Sequence, residues 1–199
     1  VDIAVGCTYK YGNSGPGAPA WLYVNKKVQA ELQVPIQGWF SQGDQFAMGP
    51  VFEKADGIRG FQIASPSLIG LRCIKSAFSM IEEAGIGAIS EKAAIGTEMM
   101  IQLYDAWLAE LGFTLLTSRN PQERGGHISL GHPDAARICV ALREFADVIP
   151  DYRTPNSMRL AIAPLPTSYL EVWDGFARIR DLVASRQYEK IEKTDSRVT

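Results

Sequence analysis

The chain has 199 residues, 46% of them hydrophobic, and 20 basic against 22 acidic side chains; that suffices for one compact domain or two small ones and excludes a disordered chain. The interspersed charges, formally −2 in sum with a pI near 5.8, give no basic field for nucleic acid or anionic lipid. No apolar run approaches the roughly 20 residues that span a bilayer, so the expected partners are small molecules or a second copy of the chain. Cys7, Cys73 and Cys139 form no C-x-x-C pair and have no histidine at ligand spacing, which argues against a disulfide framework or a zinc site and for a reducing, cytoplasmic compartment.

The first elements are short. Residues 2–5 and Trp21–Val24 are apolar runs separated by Gly and Pro, and read as two strands flanking a loop. The chain shows no signal-peptide pattern and does not open on methionine. Asp2–Val5 reads as the middle of a buried sheet whose neighbouring strands come from elsewhere, so a fragment or a processed chain is expected. Between the two strands stand Tyr9-Lys10-Tyr11 and the glycine-rich turn Gly12–Gly17. A lysine amine attacks aldehydes well when burial or a neighbouring cation lowers its pKa, so Lys10 after a hydrophobic run is chemically suggestive. The plainer alternative is a lysine that snorkels past two tyrosines at a strand exit.

Pro35–Met48 has no period and is rich in Gly, Gln and aromatics, an ordered loop that carries Trp39 and Phe40. At Ser65-Pro66 a capping hydroxyl precedes a proline suited to a first helical turn. Leu68, Leu71, Phe78 and Ile81 then recur at helical spacing until Gly85, with the helix N-terminus turned back toward the loops. Such an N-terminus can seat a phosphate; equally, Ser65 can simply cap its own helix.

A long helix is expected from Ile86 to Leu111, bridging two domains and stopped by Gly112. Strands follow at Phe113–Thr117 and His127–Leu130. A helix opening at Pro133-Asp134 shows the face Ala135, Ile138, Leu142 and Phe145. Two more strands are expected at Val148-Ile149 and Arg159–Ile162. Ser168 with Glu171 forms a capping box for a last helix that buries Tyr169, Trp173, Phe176 and Val183. The charged tail from Arg186 is expected to fray in its last few residues. There is no internal repeat. This order suits a small α+β domain over 85–199, with helices on one face of a mainly antiparallel sheet, after a segment 1–84 that closes a larger α/β domain.

Cys7-Thr8-Tyr9-Lys10-Tyr11 with Asn13 and Gly15-Pro16-Gly17-Ala18 resembles the lysine motif of kynureninases, fold-type-I pyridoxal-phosphate (PLP) enzymes. Gly38-Trp39-Phe40, Gly60-Phe61 leading to Ser65-Pro66, Arg124-Gly125-Gly126, and Asn156-Ser157-Met158-Arg159 with Ala163-Pro164-Leu165 recur in that family's order and spacing. The resemblance covers nearly the whole chain but only the C-terminal half of such enzymes. It departs at Gly12, where the family usually has a bulky apolar residue, which would loosen the loop after the lysine.

The resemblance implies an α/β, PLP-dependent transferase-like fold: the C-terminal part of the large PLP-binding domain over 1–84 and a small α+β domain over 85–199. It implies hydrolysis of L-kynurenine or 3-hydroxykynurenine in tryptophan breakdown, with PLP on Lys10. It gives Tyr9 a bond to the cofactor phosphate and a share in proton transfer. Trp39 and Ser65 become phosphate contacts donated by the neighbouring subunit of a homodimer. Ala64 falls where the family tunes the accepted ring substituent, and Arg159 falls where it clamps the substrate α-carboxylate. Each has a structural alternative: a packed aromatic for Tyr9, a dimer-interface anchor for Trp39, a surface ion pair for Arg159. His127 and His132 are expected to be structural, Arg124 to shape a turn and face the cleft, and Cys7 to be a packed thiol. The rival readings are a cysteine desulfurase or class V aminotransferase, and an inactive, dimerising scaffold that lacks the cofactor contacts found upstream in the family.

Overall fold

The two apolar runs at the start of the chain pair with each other. In the computed structural model, which describes residues 1–192, Ile3–Gly6 (β1) lies antiparallel to Trp21–Val24 (β2), Ile3 opposite Val24 and Gly6 opposite Trp21. Gly6 is required there, because a Cβ would stand 2.6 Å from the Trp21 ring. Among the described residues these two strands form a sheet by themselves, in which Val24 is the one buried residue and Val5 is 73% exposed.

The aromatic loop is ordered by side chains that reach backbone carbonyls, each satisfying an acceptor that has no ladder partner. Trp39–Ser41 forms a 3-10 turn closed by the buried Ser41 hydroxyl, which accepts from Gly38 N–H at 3.1 Å and donates to Gly38 O at 2.8 Å. The Arg59 guanidinium donates to Phe40 O, Gln42 O and Gly43 O. Lys54 Nζ donates to Gln29 O and Leu32 O and lies 4.4 Å from the Phe61 ring centre.

The following helix, Leu68–Ala84 (α1), begins later than its sequence signal. Ser67, not Ser65, supplies the cap: its hydroxyl accepts from Gly70 N–H at 3.1 Å and its carbonyl from Leu71 N–H at 2.9 Å. Pro66 precedes the cap instead of filling the first helical turn, which leaves Ser65 outside the helix.

Contacts divide the chain into two compact units, Val1–Ala84 and a second beginning at Gly85. The second starts with Ile86–Leu103 (α2), so the long helix lies wholly in this unit and does not bridge two. Beyond Leu103 its winding changes, first to a π turn at Tyr104–Leu108 and then to a 3-10 turn at Ala109–Leu111, ended by Gly112 at φ 87°. The sequence pattern carries the helical residues to Leu111 but not the change of pitch.

The order continues Thr114–Leu115 (β3), His127–Gly131 (β4), Ala135–Phe145 (α3), Asp151–Arg153 (β5), Ser157–Ala161 (β6) and Tyr169–Ala184 (α4). The four strands form one antiparallel sheet ordered β3-β4-β6-β5. Alternation along the strands buries Ile128, Leu130, Tyr152, Met158 and Leu160. These join Met100, Ile101 and Leu108, Ile138 and Leu142 of α3, and Phe176, Ile179 and Val183 of α4 in one core. The box at Ser168 forms as expected: its hydroxyl accepts from Glu171 N–H at 3.2 Å, and the Glu171 carboxylate accepts from Ser168 N–H at 2.7 Å.

Several boundaries and faces move. Phe113 is buried but outside the two-residue β3. Phe145 and Trp173 are about half exposed, not buried. Val148-Ile149 is no strand; Ile149 is 84% exposed and the strand begins after Pro150. Of the charged tail, Tyr188 packs into the core, and the last residues expected to fray lie outside the described residues.

Candidate active site

The lysine motif is held by backbone geometry. Asn13 N–H donates to Lys10 O at 2.9 Å and Ser14 N–H to Thr8 O at 3.1 Å, closing a tight turn, with Asn13 at φ 53°. The buried Thr8 hydroxyl donates to Pro19 O at 2.7 Å, tying the start of the loop to its end. Gly12 does not loosen this turn. A Cβ there would stand 2.4 Å from Thr8 O and 3.1 Å from Phe78 of α1, so the fold needs glycine at the point of closest approach. The start of α1 also abuts the loop, because a Cβ at Gly70 would meet Pro19 at 2.6 Å and Gly17 O at 3.0 Å.

From this fixed loop the Lys10 side chain projects into solvent. It is exposed, as a lysine reaching past a tyrosine at a strand exit would be, and its ammonium lies 5.4 Å from the centre of the half-exposed Tyr9 ring. No acid or carbonyl among the described residues engages it. An unpaired primary amine on an ordered loop is a group that an aldehyde can reach. Cys7 is exposed rather than packed.

Trp39, Ala64 and Ser65 are brought toward one another by the loop, since Phe40 N–H donates to Ile63 O at 3.3 Å and Gly38 packs directly on that carbonyl. Trp39 is half exposed, stacks edge-on against Phe40 and Phe46, and donates its indole N–H to Gln45 O at 3.0 Å. It borders an open cleft of about 360 Å³ whose walls include Gln42, Met48 and Phe52. The Ser65 hydroxyl is exposed and free of hydrogen bonds among the described residues. The exposed Ala64 accepts from the Gln62 side chain through its carbonyl. Lys10 and Tyr9 thus form one group and Trp39, Ala64 and Ser65 a second.

Arg159 belongs to the second unit. It lies on β6 opposite Asp151 of β5 and Ser129 of β4, and its guanidinium donates to the Asp151 carboxylate. Arg153 binds the same oxygen through Nε and Nη2 at 3.0 and 2.8 Å. Asp151 and Arg153 carry no motif of their own, and their part follows only from strand register.

Arg124 is a structural anchor, not a cleft residue. Its side chain is 2% exposed, pairs with Glu98, and donates to the Thr97 hydroxyl at 3.1 Å and to Arg119 O at 2.6 Å. His132 is buried against Phe113 and Tyr188, and its Nδ1 accepts from Asp134 N–H at 3.0 Å. Burial pushes its pKa below the ordinary value, outweighing the Asp134 charge. His127 lies on β4 opposite Ala161, half-buried. Cys139 is buried in α3, which pushes its thiol up to about 12. Among the described residues no helix is long and apolar enough to cross a membrane, and no cluster of His, Cys, Asp or Glu could hold a metal.

A lysine loop flanked by a strand pair and a helix, followed by a small antiparallel α+β unit, is the arrangement of fold-type-I PLP enzymes. The chain superposes on the cysteine desulfurase of Thermococcus onnurineus with a TM-score of 0.74 at 17% identity, covering 93% of this chain and 48% of that one. It also superposes on an alanine–glyoxylate aminotransferase from Nostoc with a TM-score of 0.63 at 11% identity, covering 92% and 48%. At such identities the likeness defines the fold.

Sequence carries the assignment further. Residues 89–179 match the kynureninase C-terminal domain family. The chain is 39% identical to a Bacillus anthracis kynureninase over 194 residues, covering 96% of this chain and 45% of that protein. It is 31% identical to one from Pseudomonas fluorescens, covering 96% and 46%. The chain belongs to the kynureninase family and spans about half the length of the curated relatives it matches.

Proposed function

We propose that this sequence forms the lysine-bearing part of a PLP-dependent hydrolase. Its reaction is the cleavage of L-kynurenine or 3-hydroxykynurenine at the Cβ–Cγ bond, giving L-alanine and anthranilate or 3-hydroxyanthranilate. The observation that carries this reading is the unpaired Lys10 amine on a loop locked by Thr8, Asn13 and Gly12, in a chain of this family.

The residues present fit the cofactor. Lys10 offers a free amine for its aldehyde carbon, and Ser65 a free hydroxyl for a phosphate oxygen. Trp39 offers an indole N–H that exchanges Gln45 O for a phosphate oxygen. The Tyr9 phenol, beside Lys10, adds another donor. When bound, the cofactor supplies an electron sink for charge developing on the substrate carbons.

The chain's own groups do the remaining work. Lys10 would hold the cofactor and would move a proton at the substrate α-carbon, with Tyr9 assisting that transfer. Arg159 fixes the α-carboxylate, because its planar fork grips two oxygens and keeps its charge when partly buried. Ala64, small and beside Ser65, bounds the space open to the ring substituent. Trp39 and Ser65 serve the site of a second copy in a homodimer, which makes each site shared. The two units, in this reading, are the closing part of the large cofactor domain and the small C-terminal domain, of a protein that works in the cytoplasm.

A desulfurase reading is disfavoured by the cysteines. Cys73 lies within α1, Cys139 is buried in α3, and Cys7 stands at the start of the lysine loop, which hydrogen bonds from Thr8, Asn13 and Ser14 pin, so none stands on a long unpinned loop. The test is the release of anthranilate, followed by fluorescence, from L-kynurenine and PLP with the wild-type enzyme and Lys10→Ala. Product from the wild type alone is expected; its absence from the wild type overturns the reading.

A further inference from the structure

The outward face of the second unit's sheet carries a row of polar side chains. Because successive residues on a strand point to opposite faces, the positions beside Met158 and Leu160 of the core must face away from it. On β6 these are Ser157, Arg159 and Ala161, and on β5 they are Asp151 and Arg153. Cross-strand pairing sets Ser129, Arg159 and Asp151 side by side, with Arg153 opposite Ser157. One Asp151 oxygen receives both guanidinium groups.

Two consequences follow. A single carboxylate neutralises one of two permanent cations, so the trio keeps a net positive charge. Only one nitrogen of Arg159, Nη2, is engaged by Asp151, which leaves the rest of its fork open to an anion.

We propose that Asp151 is a positioning residue for Arg159. It fixes the guanidinium against the sheet so that the free part of the fork meets a substrate carboxylate. Arg153, by sharing Asp151, keeps that ion pair from cancelling the Arg159 charge. The identity of the carboxylate as that of a kynurenine rests on the function proposed above; the carboxylate site itself does not.

The two effects of Asp151 on an incoming anion have opposite signs. Its negative charge repels the anion, but these side chains are partly exposed and water and salt screen the repulsion. Without Asp151, the long Arg159 side chain regains rotamer freedom that anion binding must then remove. Positioning is the larger effect, so removal of Asp151 weakens binding although it makes the face more positive.

The experiment follows the arginine Nε–H resonances of the 199-residue chain by NMR, with acetate as the probe and chloride at equal ionic strength as the control. The Arg159 signal is assigned from its loss in Arg159→Lys. Acetate is expected to shift this signal saturably in the wild type. In Asp151→Asn the signal moves to the position of a free guanidinium, and acetate affinity falls about fivefold, the loss expected when a rotamer-rich side chain must be ordered anew. In Arg153→Met the affinity also falls, because Asp151 then belongs to Arg159 alone.

No acetate response in the wild type overturns the proposal, as does unchanged or tighter binding in Asp151→Asn. If Asp151→Asn does not fold, Arg153→Met decides, and unchanged or tighter binding there is the overturning result. Acetate binding needs neither PLP nor kynurenine. A wild type that binds acetate as described but releases no anthranilate therefore refutes the proposed reaction and leaves the carboxylate site standing.

Discussion

Gly12 shows how a single residue sets the lysine loop. Its missing Cβ lets the backbone come within van der Waals reach of Thr8 O and Phe78, so even alanine must displace main chain. Gly12→Ala is expected to destabilise the protein by about 1–3 kcal/mol, the usual cost of overpacking, read from the urea midpoint; an unchanged midpoint contradicts the close approach. Arg159→Lys should raise KM for kynurenine severalfold and leave the cofactor absorbance intact, since lysine cannot reproduce the bidentate grip. An unchanged KM removes Arg159 from the carboxylate site. His132 is held neutral, with Nδ1 accepting from Asp134 N–H, and its lowered pKa means that the unfolded chain binds a proton first as pH falls. The contribution of neutral His132 to stability should therefore be fully present above about pH 6.5 and decline as pH falls below it, and His132→Asn should flatten that decline in thermal melts. Cys139 is buried with its thiol pushed up to about 12, whereas Cys7 and Cys73 are exposed. A disulfide reagent at neutral pH should thus modify two thiols and reach the third only on unfolding. The residue types at Lys10, Trp39, Ser65 and Arg159 were legible in the sequence because each belongs to a motif. Their surroundings were not: Lys10's exposure and Trp39's bond to Gln45 O depend on how the loops fold back.

At the scale of elements, local signals were legible where one element contains its own explanation. The Ser168–Glu171 box formed as read because both partners lie within one turn. The order of helices and strands in the second unit followed from apolar periodicity in the same way. Signals failed where a neighbouring residue could compete. Ser65 and Ser67 are both plausible caps, and Ser67 supplies the bond to Gly70 N–H. Ser67→Ala should cost about 1 kcal/mol of stability, while Ser65→Ala should leave the melt unchanged and weaken PLP retention; the reverse pattern contradicts both assignments. Val148-Ile149 looks like a strand by its β-branched side chains. Asp147 at φ 51° instead turns the chain so that Val148 N–H donates to Leu142 O and closes the end of α3. That displacement hid Asp151, because strand register decides which residue faces Arg159.

At the scale of the molecule the two units differ in what they bury. Every residue of the main hydrophobic core lies between Met100 and Tyr188, whereas the first unit buries chiefly Val24, Ala55 and Ala77 and exposes Val5, Phe46, Met48 and Ile69. Burial of apolar surface is the main force for folding. A chain begun at Gly85 should accordingly unfold cooperatively by itself, and residues 1–84 alone should not; calorimetry of the two pieces tests this. The most direct test of the account is a borohydride trap: incubate the chain with PLP, reduce, digest and locate the pyridoxyl group by mass spectrometry. Stoichiometric label on Lys10 is the predicted result. Label scattered over surface lysines, with Lys10 no more modified than the rest, would contradict it.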